Sequence, residues 1–316
     1  ERVTNSSRAG EVFRSLHSTR CFIERRHPAE PWYRYHPLFR EFLLQQLVTR
    51  YSKQEVQELR RQAAIYLAEA GQHEESIELL RLAEDWMAMG GQVSALAPVM
   101  LGQGRLATVD SWISSIPSGI VDGEAWLQFW LACSLMFLNV AEAQMLFERA
   151  FEQFLARQER AGVLLAWTNL VRCILFQWSG LPRLDSWIDR FAMIHPKGTP
   201  YPSMEIEAQV AEAMAGAMVW RRPANPETGY WLETAISLSD RLVGSGAGHA
   251  IFLTESYLVW LGNLAEARTG QNRLLEMGCH SSCSPLSCIA RTSWRSSRQS
   301  LRAVSARGRA WLSRSA

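Results

Sequence analysis

The residues best suited to bind a ligand are aromatic and arginine side chains near the middle of the chain. The sequence has 13 tryptophans in 316 residues, and one helical stripe includes two of them: Trp167, Leu170, Ile174 and Trp178. Arg172 lies nearby, and aromatic faces beside a guanidinium suit sugars, ring compounds or a partner helix. The same stripe is also typical of core packing between helices. The candidate ligand- or partner-binding residues are Trp130, Trp167, Arg172 and Trp178.

Motifs for catalysis and for nucleotide binding are poorly represented. The two lysines, Lys53 and Lys197, follow Ser52 and Pro196, so neither completes the Gly-Lys-Ser/Thr sequence of a phosphate-binding loop. No G-x-S-x-G motif is present, and the glycine-rich run at 244–248 lacks a preceding strand. We therefore predict that the chain is not an enzyme and that it holds neither a metal nor a cofactor.

The C-terminal residues differ from the others in composition. Residues 271–316 contain eight arginines but one acid, Glu276, and helical periodicity ends near Leu275. One interpretation is a zinc site, although its candidate ligands crowd into ten residues: Cys279, His280, Cys283 and Cys288. A second is a basic arm whose arginines neutralise nucleic-acid phosphates. We favour a third, a shifted reading frame in a GC-rich gene, and expect residues 278–316 to be disordered or frameshifted.

Repeated helical hairpins are predicted for residues 51–277. Apolar residues recur there at helical spacing. Turn-like positions fall 33 to 43 residues apart, at Gly71, Gly104, Asn139, Gly180, Pro223 and Gly262. A hairpin of two amphipathic helices cannot bury its apolar face alone, so neighbouring hairpins must stack. The predicted fold is all-α, a TPR-like superhelix of helical hairpins, in which Pro98 should kink or break its helix.

One five-residue segment occurs twice in this region. Residues 109–113 read VDSWI, and residues 184–188 read LDSWI, 75 positions further along the chain. The offset equals two repeat units of average length, so it supports an array of similar hairpins.

A small domain with a β-hairpin is predicted before the repeats, at residues 1–50. Two short β-prone runs, at 21–23 and 32–35, flank a turn-rich link at 25–31, as in the wing of a winged-helix domain. His36 and Pro37 then begin a helix, because proline is favoured in the first helical turn.

The segment WYRYHPLFREFL at 32–43 resembles a motif of the MalT-like, LuxR-family ATP-dependent transcriptional regulators. In that family the motif closes a winged-helix domain, and helical repeats follow it. The residues that carry the likeness, for which the resemblance implies a structural role, are Tyr33, Arg34, Tyr35, His36, Leu38 and Phe39. The likeness extends over residues 12–270 and implies a winged-helix remnant followed by sensor repeats.

The family's P-loop NTPase domain and its LuxR-type helix-turn-helix are not recognised in this sequence. ATP is therefore expected only for a domain upstream of this region, and direct DNA binding is not expected of this chain. The resemblance implies a sensor that binds a small-molecule inducer or a protein partner; a TPR scaffold that binds only peptide segments is the alternative. A cytoplasmic location without membrane contact is expected, because no signal peptide and no apolar run of ~20 residues is recognised.

Overall fold

The computed structural model describes residues 8–19, 22–25, 33–178 and 180–241. These residues contain thirteen helices and two short strands. Contacts between Cα atoms divide the chain into two units, Glu1–Ser134 and Leu135–Ala316. The predicted turn at Gly262, the repeats after residue 241 and the 278–316 tail with its zinc hypothesis lie outside the described residues.

The chain begins with a small helix-and-hairpin arrangement. Its elements are α1 (Ala9–Ser18), β1 (Ile23–Arg25), β2 (Tyr33–Tyr35) and α2 (Pro37–Arg50). The strands are antiparallel, with Ile23 opposite Tyr35. Tyr33 stacks on Phe13 at 5.6 Å between ring centroids, and Tyr35 meets Phe39 edge-on at 5.8 Å. Aromatic packing of this kind holds the hairpin between the two helices.

The remaining motif residues lie at the start of α2. His36 is the N-cap residue, and its backbone N–H donates to the carbonyl of Phe22 at 2.7 Å. Leu38 is exposed, and Arg34 lies on β2 between the two tyrosines. The motif therefore joins the hairpin to α2 through backbone hydrogen bonding and ring packing.

The first unit continues with further helices. They are α3 (Lys53–Glu69), α4 (His73–Leu82), α5 (Trp86–Gly102), α6 (Leu106–Ser114), α7 (Ser118–Gly123) and α8 (Ala125–Leu135), the last of which ends one residue beyond the unit. Gly71 and Gly104 lie in the turns after α3 and α5 with φ of +75° and +77°, a conformation that glycine adopts without strain. The turns predicted at these two glycines are confirmed.

The second unit contains α9 (Val140–Ala156), α10 (Arg160–Gln177), α11 (Arg183–Ile194), α12 (Met204–Arg221) and α13 (Glu227–Arg241). The turns predicted at Asn139, Gly180 and Pro223 precede α9, α11 and α13, so they too are confirmed. Gly162 lets α10 approach α9 closely, because a Cβ there would clash with the ring of Phe154.

Pro98 does not break its helix, so of the kink or break predicted from the sequence the break does not occur. Helix α5 runs continuously from Trp86 to Gly102. The proline removes one backbone hydrogen bond, but it is exposed, while Val93, Ala97 and Met100 are buried in the core of the first unit. Packing of the flanking turns therefore keeps the helix intact.

Candidate ligand-binding face

Trp167 is a core residue and not a binding residue, which corrects the sequence interpretation. Its side chain is 0% exposed, and its ring centroid lies 4.6 Å from that of Phe191. The indole N–H donates to the backbone carbonyl of Trp187 at 3.0 Å. Leu170 and Ile174 on the same stripe are also buried. Trp167 holds α10 against α11, and these three residues have no surface left for a ligand.

Trp130 lies in the first unit, on α8, among other aromatic residues. It stacks on Trp126 at 5.7 Å and meets Phe129 edge-on at 4.8 Å. The ring is half-buried against the core of that unit, and its Nε1 is buried without a hydrogen-bond acceptor among the described residues. These contacts give Trp130 a packing role in its own unit, separate from the predicted residues of the second unit.

Arg172 and Glu212 form the polar centre of a surface on α10 and α12. The Arg172 guanidinium donates to a Glu212 carboxylate oxygen at 2.9 Å. The two side chains keep 21% and 14% of their exposure. Between Val210 and Val219, Glu212 alone is not buried. The pair is therefore a half-buried ion pair in an otherwise apolar surrounding, where charge-assisted hydrogen bonds are stronger than in water.

Aromatic side chains follow this ion pair toward the C-terminal ends of the two helices. Phe176, one helical turn beyond Arg172, is 42% exposed and lies 5.8 Å from Phe137. Trp178 is 61% exposed and meets Trp220, at the end of α12, edge-on at 4.8 Å. We call Arg172, Glu212, Phe176, Trp178 and Trp220 the Arg172 face.

Trp178 has a strained backbone, which is unusual for so large a residue. It ends α10 with φ of +55° in the left-handed region, a conformation that costs a non-glycine residue about 1–2 kcal/mol. Folding alone would be served better by glycine at this position. The strain holds an exposed indole against Trp220, and strained backbone is concentrated at functional sites.

The Arg172 face suits a ligand that combines polar groups with a ring or an apolar surface. Arg172 supplies donors, Glu212 supplies acceptor oxygens, and the aromatic residues supply flat apolar surface. Covalent chemistry is disfavoured beside it, because burial raises the pKa of the Cys173 thiol to about 12 despite the neighbouring Arg172. The thiol therefore stays protonated at neutral pH and is a poor nucleophile.

Of the residues of the Arg172 face, sequence reasoning proposed Arg172 and Trp178 and did not propose Glu212, Phe176 and Trp220. Phe176 stands four residues after Arg172, which places both on one side of α10. Trp220 and Glu212 are eight residues apart on α12, but no pattern in the sequence alone connects α12 with α10. The ion pair could be recognised only when the two helices were seen together.

The described residues contain neither a cluster of metal-ligating side chains nor a helix that could span a membrane. No group of three or more His, Cys, Asp or Glu residues could hold a metal ion within the described ranges. In the same part of the chain, no helix is both long enough and apolar enough to span a membrane.

Comparisons with known proteins confirm the resemblance to MalT-like regulators. A family model described as the MalT winged helix domain matches residues 1–55. The helix-and-hairpin arrangement at the start of the chain is therefore similar to the winged helix domain of MalT. The chain is also 31% identical over 135 residues to the HTH-type transcriptional regulator MalT of Vibrio cholerae serotype O1. That match covers 42% of this chain and 15% of the relative, so the chain spans a small part of that protein.

A solved structure shares the helical fold. The apo form of the quorum sensor NprR from B. thuringiensis superposes with a TM-score of 0.53, covering 78% of this chain and 72% of the other. The sequence identity is 12%, so the likeness concerns the fold. It confirms the predicted all-α class of helical hairpins.

Proposed function

We propose that this chain is the sensor region of a LuxR-family transcriptional regulator and that the Arg172 face binds its inducer or partner. The observation that carries the proposal is the half-buried Arg172–Glu212 pair beside exposed aromatic residues. A regulator region needs a surface that recognises a signal, and this surface offers both polar and apolar recognition. The quorum-sensing role of NprR supports a sensing role for this fold.

The proposed mechanism is a shift between two states of the regulator. A ligand can change the populations of two states only when it binds one of them more tightly than the other. Helices α10 and α12 contribute the two halves of the ion pair, so a ligand that contacts both helices favours one spacing between them. The intact regulator would transmit this preference to its nucleotide-binding and DNA-binding domains.

The proposal is tested by thermal unfolding of the full chain against a panel of metabolites that includes sugars and ring compounds. A ligand that binds the folded state raises Tm in proportion to its concentration relative to Kd. The test variant is Arg172→Gln with Glu212→Gln, which removes both charges and leaves neither half-buried and unpaired. We expect the stabilisation to disappear in this variant.

The matched control is Arg81→Gln, which breaks an exposed ion pair with Glu78 in the first unit. This variant should respond to the ligand as the unchanged chain does. Equal stabilisation of the unchanged chain and the Arg172/Glu212 variant would contradict the assignment of the site.

A scaffold that binds only peptide segments is the second candidate function. It is favoured by exposed apolar residues in successive hairpin turns of the second unit, among them Phe137, Leu138 and Trp178. A partner helix could place its apolar side on such residues. Stabilisation by peptides with no small-molecule ligand would select this function, and Trp178→Ala should then weaken peptide binding.

A further inference from the structure

An open cleft in the second unit lies between α9 and α11, on other helices than the Arg172 face. Its volume is about 480 Å³, within the range of ~300–1,000 Å³ for small-molecule sites. Seven residues line it: Met145, Glu148, Arg149 and Glu152 from α9, and Arg183, Trp187 and Arg190 from α11. On α11 these residues are spaced three or four apart, and on α9 the same spacing relates Met145, Glu148 and Glu152, with Arg149 next to Glu148, so each set forms one continuous wall.

The two walls carry opposite charges at matching heights. Glu148 accepts a hydrogen bond from Arg183 at 3.0 Å, and Glu152 accepts one from Arg190 at 2.8 Å. In both pairs the acid comes from α9 and the base from α11. A molecule between the walls therefore meets carboxylates on one side and guanidinium groups on the other, although Arg149 adds a positive charge to the α9 side.

Apolar surface lies beside the two ion pairs. Trp187 is half-buried on α11 between Arg183 and Arg190, and Met145, which is 53% exposed, lies one helical turn before Glu148 on α9. The Arg190 guanidinium is fixed over two rings, 4.6 Å from the Phe151 centroid and 5.2 Å from that of Trp187. This stacking holds one cationic group in place before any ligand arrives, which lowers the entropic cost of binding.

Both ion pairs are open to solvent, so a ligand can replace them. The side chains of Arg183 and Glu148 keep 54% and 36% exposure, and Arg190 and Glu152 keep 32% and 58%. Exposed ion pairs contribute little to stability because water screens them. A ligand with its own positive and negative groups would give each separated side chain a new partner of opposite charge.

We propose that this cleft binds a free α-amino acid with an aromatic or aliphatic side chain. Its ammonium group would lie against Glu148 and Glu152, and its carboxylate against Arg183 and Arg190. Its side chain would contact Trp187 and Met145. The two charges and the apolar group of such a molecule match the two walls and the apolar surface beside their ion pairs. The inference does not depend on the Arg172 face.

The test is calorimetric titration of the full chain with L-phenylalanine and L-leucine, each of which carries both charges. N-acetyl-L-phenylalanine lacks the ammonium, and L-phenylalaninamide lacks the carboxylate. We expect each capped analogue to bind at least about tenfold more weakly than L-phenylalanine, because a charge-assisted contact is lost in each case. Glu152→Gln and Arg190→Gln should weaken L-phenylalanine binding to a similar extent.

If Arg190→Gln disturbs folding, Glu152→Gln still tests the proposal, because glutamine keeps the shape of the glutamate side chain. The control is Arg81→Gln, which breaks an exposed ion pair in the first unit and should bind L-phenylalanine as the unchanged chain does. The Arg172→Gln, Glu212→Gln variant is measured beside it. Loss of L-phenylalanine binding in that variant, with binding kept in Glu152→Gln, would place the amino acid at the Arg172 face and overturn the proposal. Equal binding of the capped analogues, or no heat of binding up to about 10 mM amino acid, would overturn the proposal.

Discussion

The repeated segment occurs in two helices that can be compared directly, α6 in the first unit and α11 in the second. Residues 109–113 and 184–188 have the same burial pattern, with buried first and last residues and a half-buried tryptophan. Their aspartates differ in contacts. Asp185 accepts from the Arg221 Nε at 3.0 Å, whereas Asp110 accepts from the Ser114 hydroxyl, on its own helix, at 3.4 Å.

This comparison shows that the apolar positions and the charged position of the segment have different roles. The apolar positions fix how a helix sits on its hairpin partner, and they are filled alike in both units. The charged position depends on the helix that follows. Helix α12 ends with Arg221 and Arg222, and Arg222 also donates to Asp189 at 2.8 Å. The ion-pair network therefore links α11 to α12 in the second unit.

The largest predicted effect concerns the shared apolar position. Ile113→Ala and Ile188→Ala should each destabilise their unit by about 3 kcal/mol, because each leaves a cavity in a buried contact. Denaturant unfolding followed by hydrogen exchange in each unit would measure both losses. A loss below about 1 kcal/mol at one of them would break the equivalence of the two segments.

A smaller effect is predicted for the aspartate of the segment, whose contacts differ between the two units. Asp185→Asn should lower stability by about 0.5–1 kcal/mol, because a partly exposed ion pair contributes no more than that. Asp110→Asn is the matched control and should leave stability unchanged within the error of urea denaturation. Equal effects of the two substitutions would contradict a special role for the arginine contacts.

The Asp185 contacts should also depend on pH. The hydrogen bond from Arg221 holds the pKa of the Asp185 carboxyl below its ordinary value of 3.8. A carboxyl whose pKa falls on folding stabilises the protein above its unfolded-state pKa, and this stability is lost as pH falls through the folded pKa. The difference in stability between Asp185→Asn and the unchanged chain should therefore disappear in strong acid.

The helices that contain the two segments are each followed by a buried residue and then a proline, but the buried residue differs. That residue is Ile116 after α6 and His195 after α11. Burial, together with the positive charge of Arg160, lowers the pKa of the His195 imidazole, whose ring stacks on Tyr201 at 4.1 Å. The unfolded chain then binds a proton more readily than the folded chain. Stability of the second unit should fall as pH drops below about 6.5.

Unfolding of the unchanged chain and of His195→Gln at neutral and mildly acidic pH would measure this dependence. The variant should lose the part of the acid destabilisation that comes from His195. An identical pH profile in both proteins would show that another group is responsible.

The smallest predicted difference is in thiol reactivity. Cys133 on α8 is half-buried, whereas burial raises the pKa of Cys173 on α10 to about 12. Alkylation at neutral pH, followed by peptide mass mapping, should label Cys173 at least about tenfold more slowly. Comparable rates would mean that α10 opens readily to solvent.

The hairpin turns could be predicted from sequence because they depend on local chemistry. Gly71 and Gly104 adopt positive φ, and Asn139 caps α9 by accepting from the Glu142 N–H at 3.3 Å. Such signals lie within a few residues of the turn. The β-hairpin at Tyr33–Tyr35 was predicted from β-prone residues, and the resemblance to MalT-like regulators agreed with it.

The orientation of α10 could not be predicted, and this is why Trp167 was misinterpreted. The helix is buried over most of its circumference, so apolar residues occur on every side and no amphipathic pattern marks the open one. Arg172 was the useful signal, because a charged side chain in such a helix needs a partner or solvent. Its partner, Glu212, comes from a helix 40 residues further along the chain.

The most direct test of the Arg172 face is hydrogen–deuterium exchange of the full chain with and without a metabolite or peptide that raises Tm. Binding at this face should slow exchange in the C-terminal halves of α10 and α12. The Arg172→Gln, Glu212→Gln variant should show no such protection. Protection confined to other helices, or protection that persists in the variant, would contradict the account.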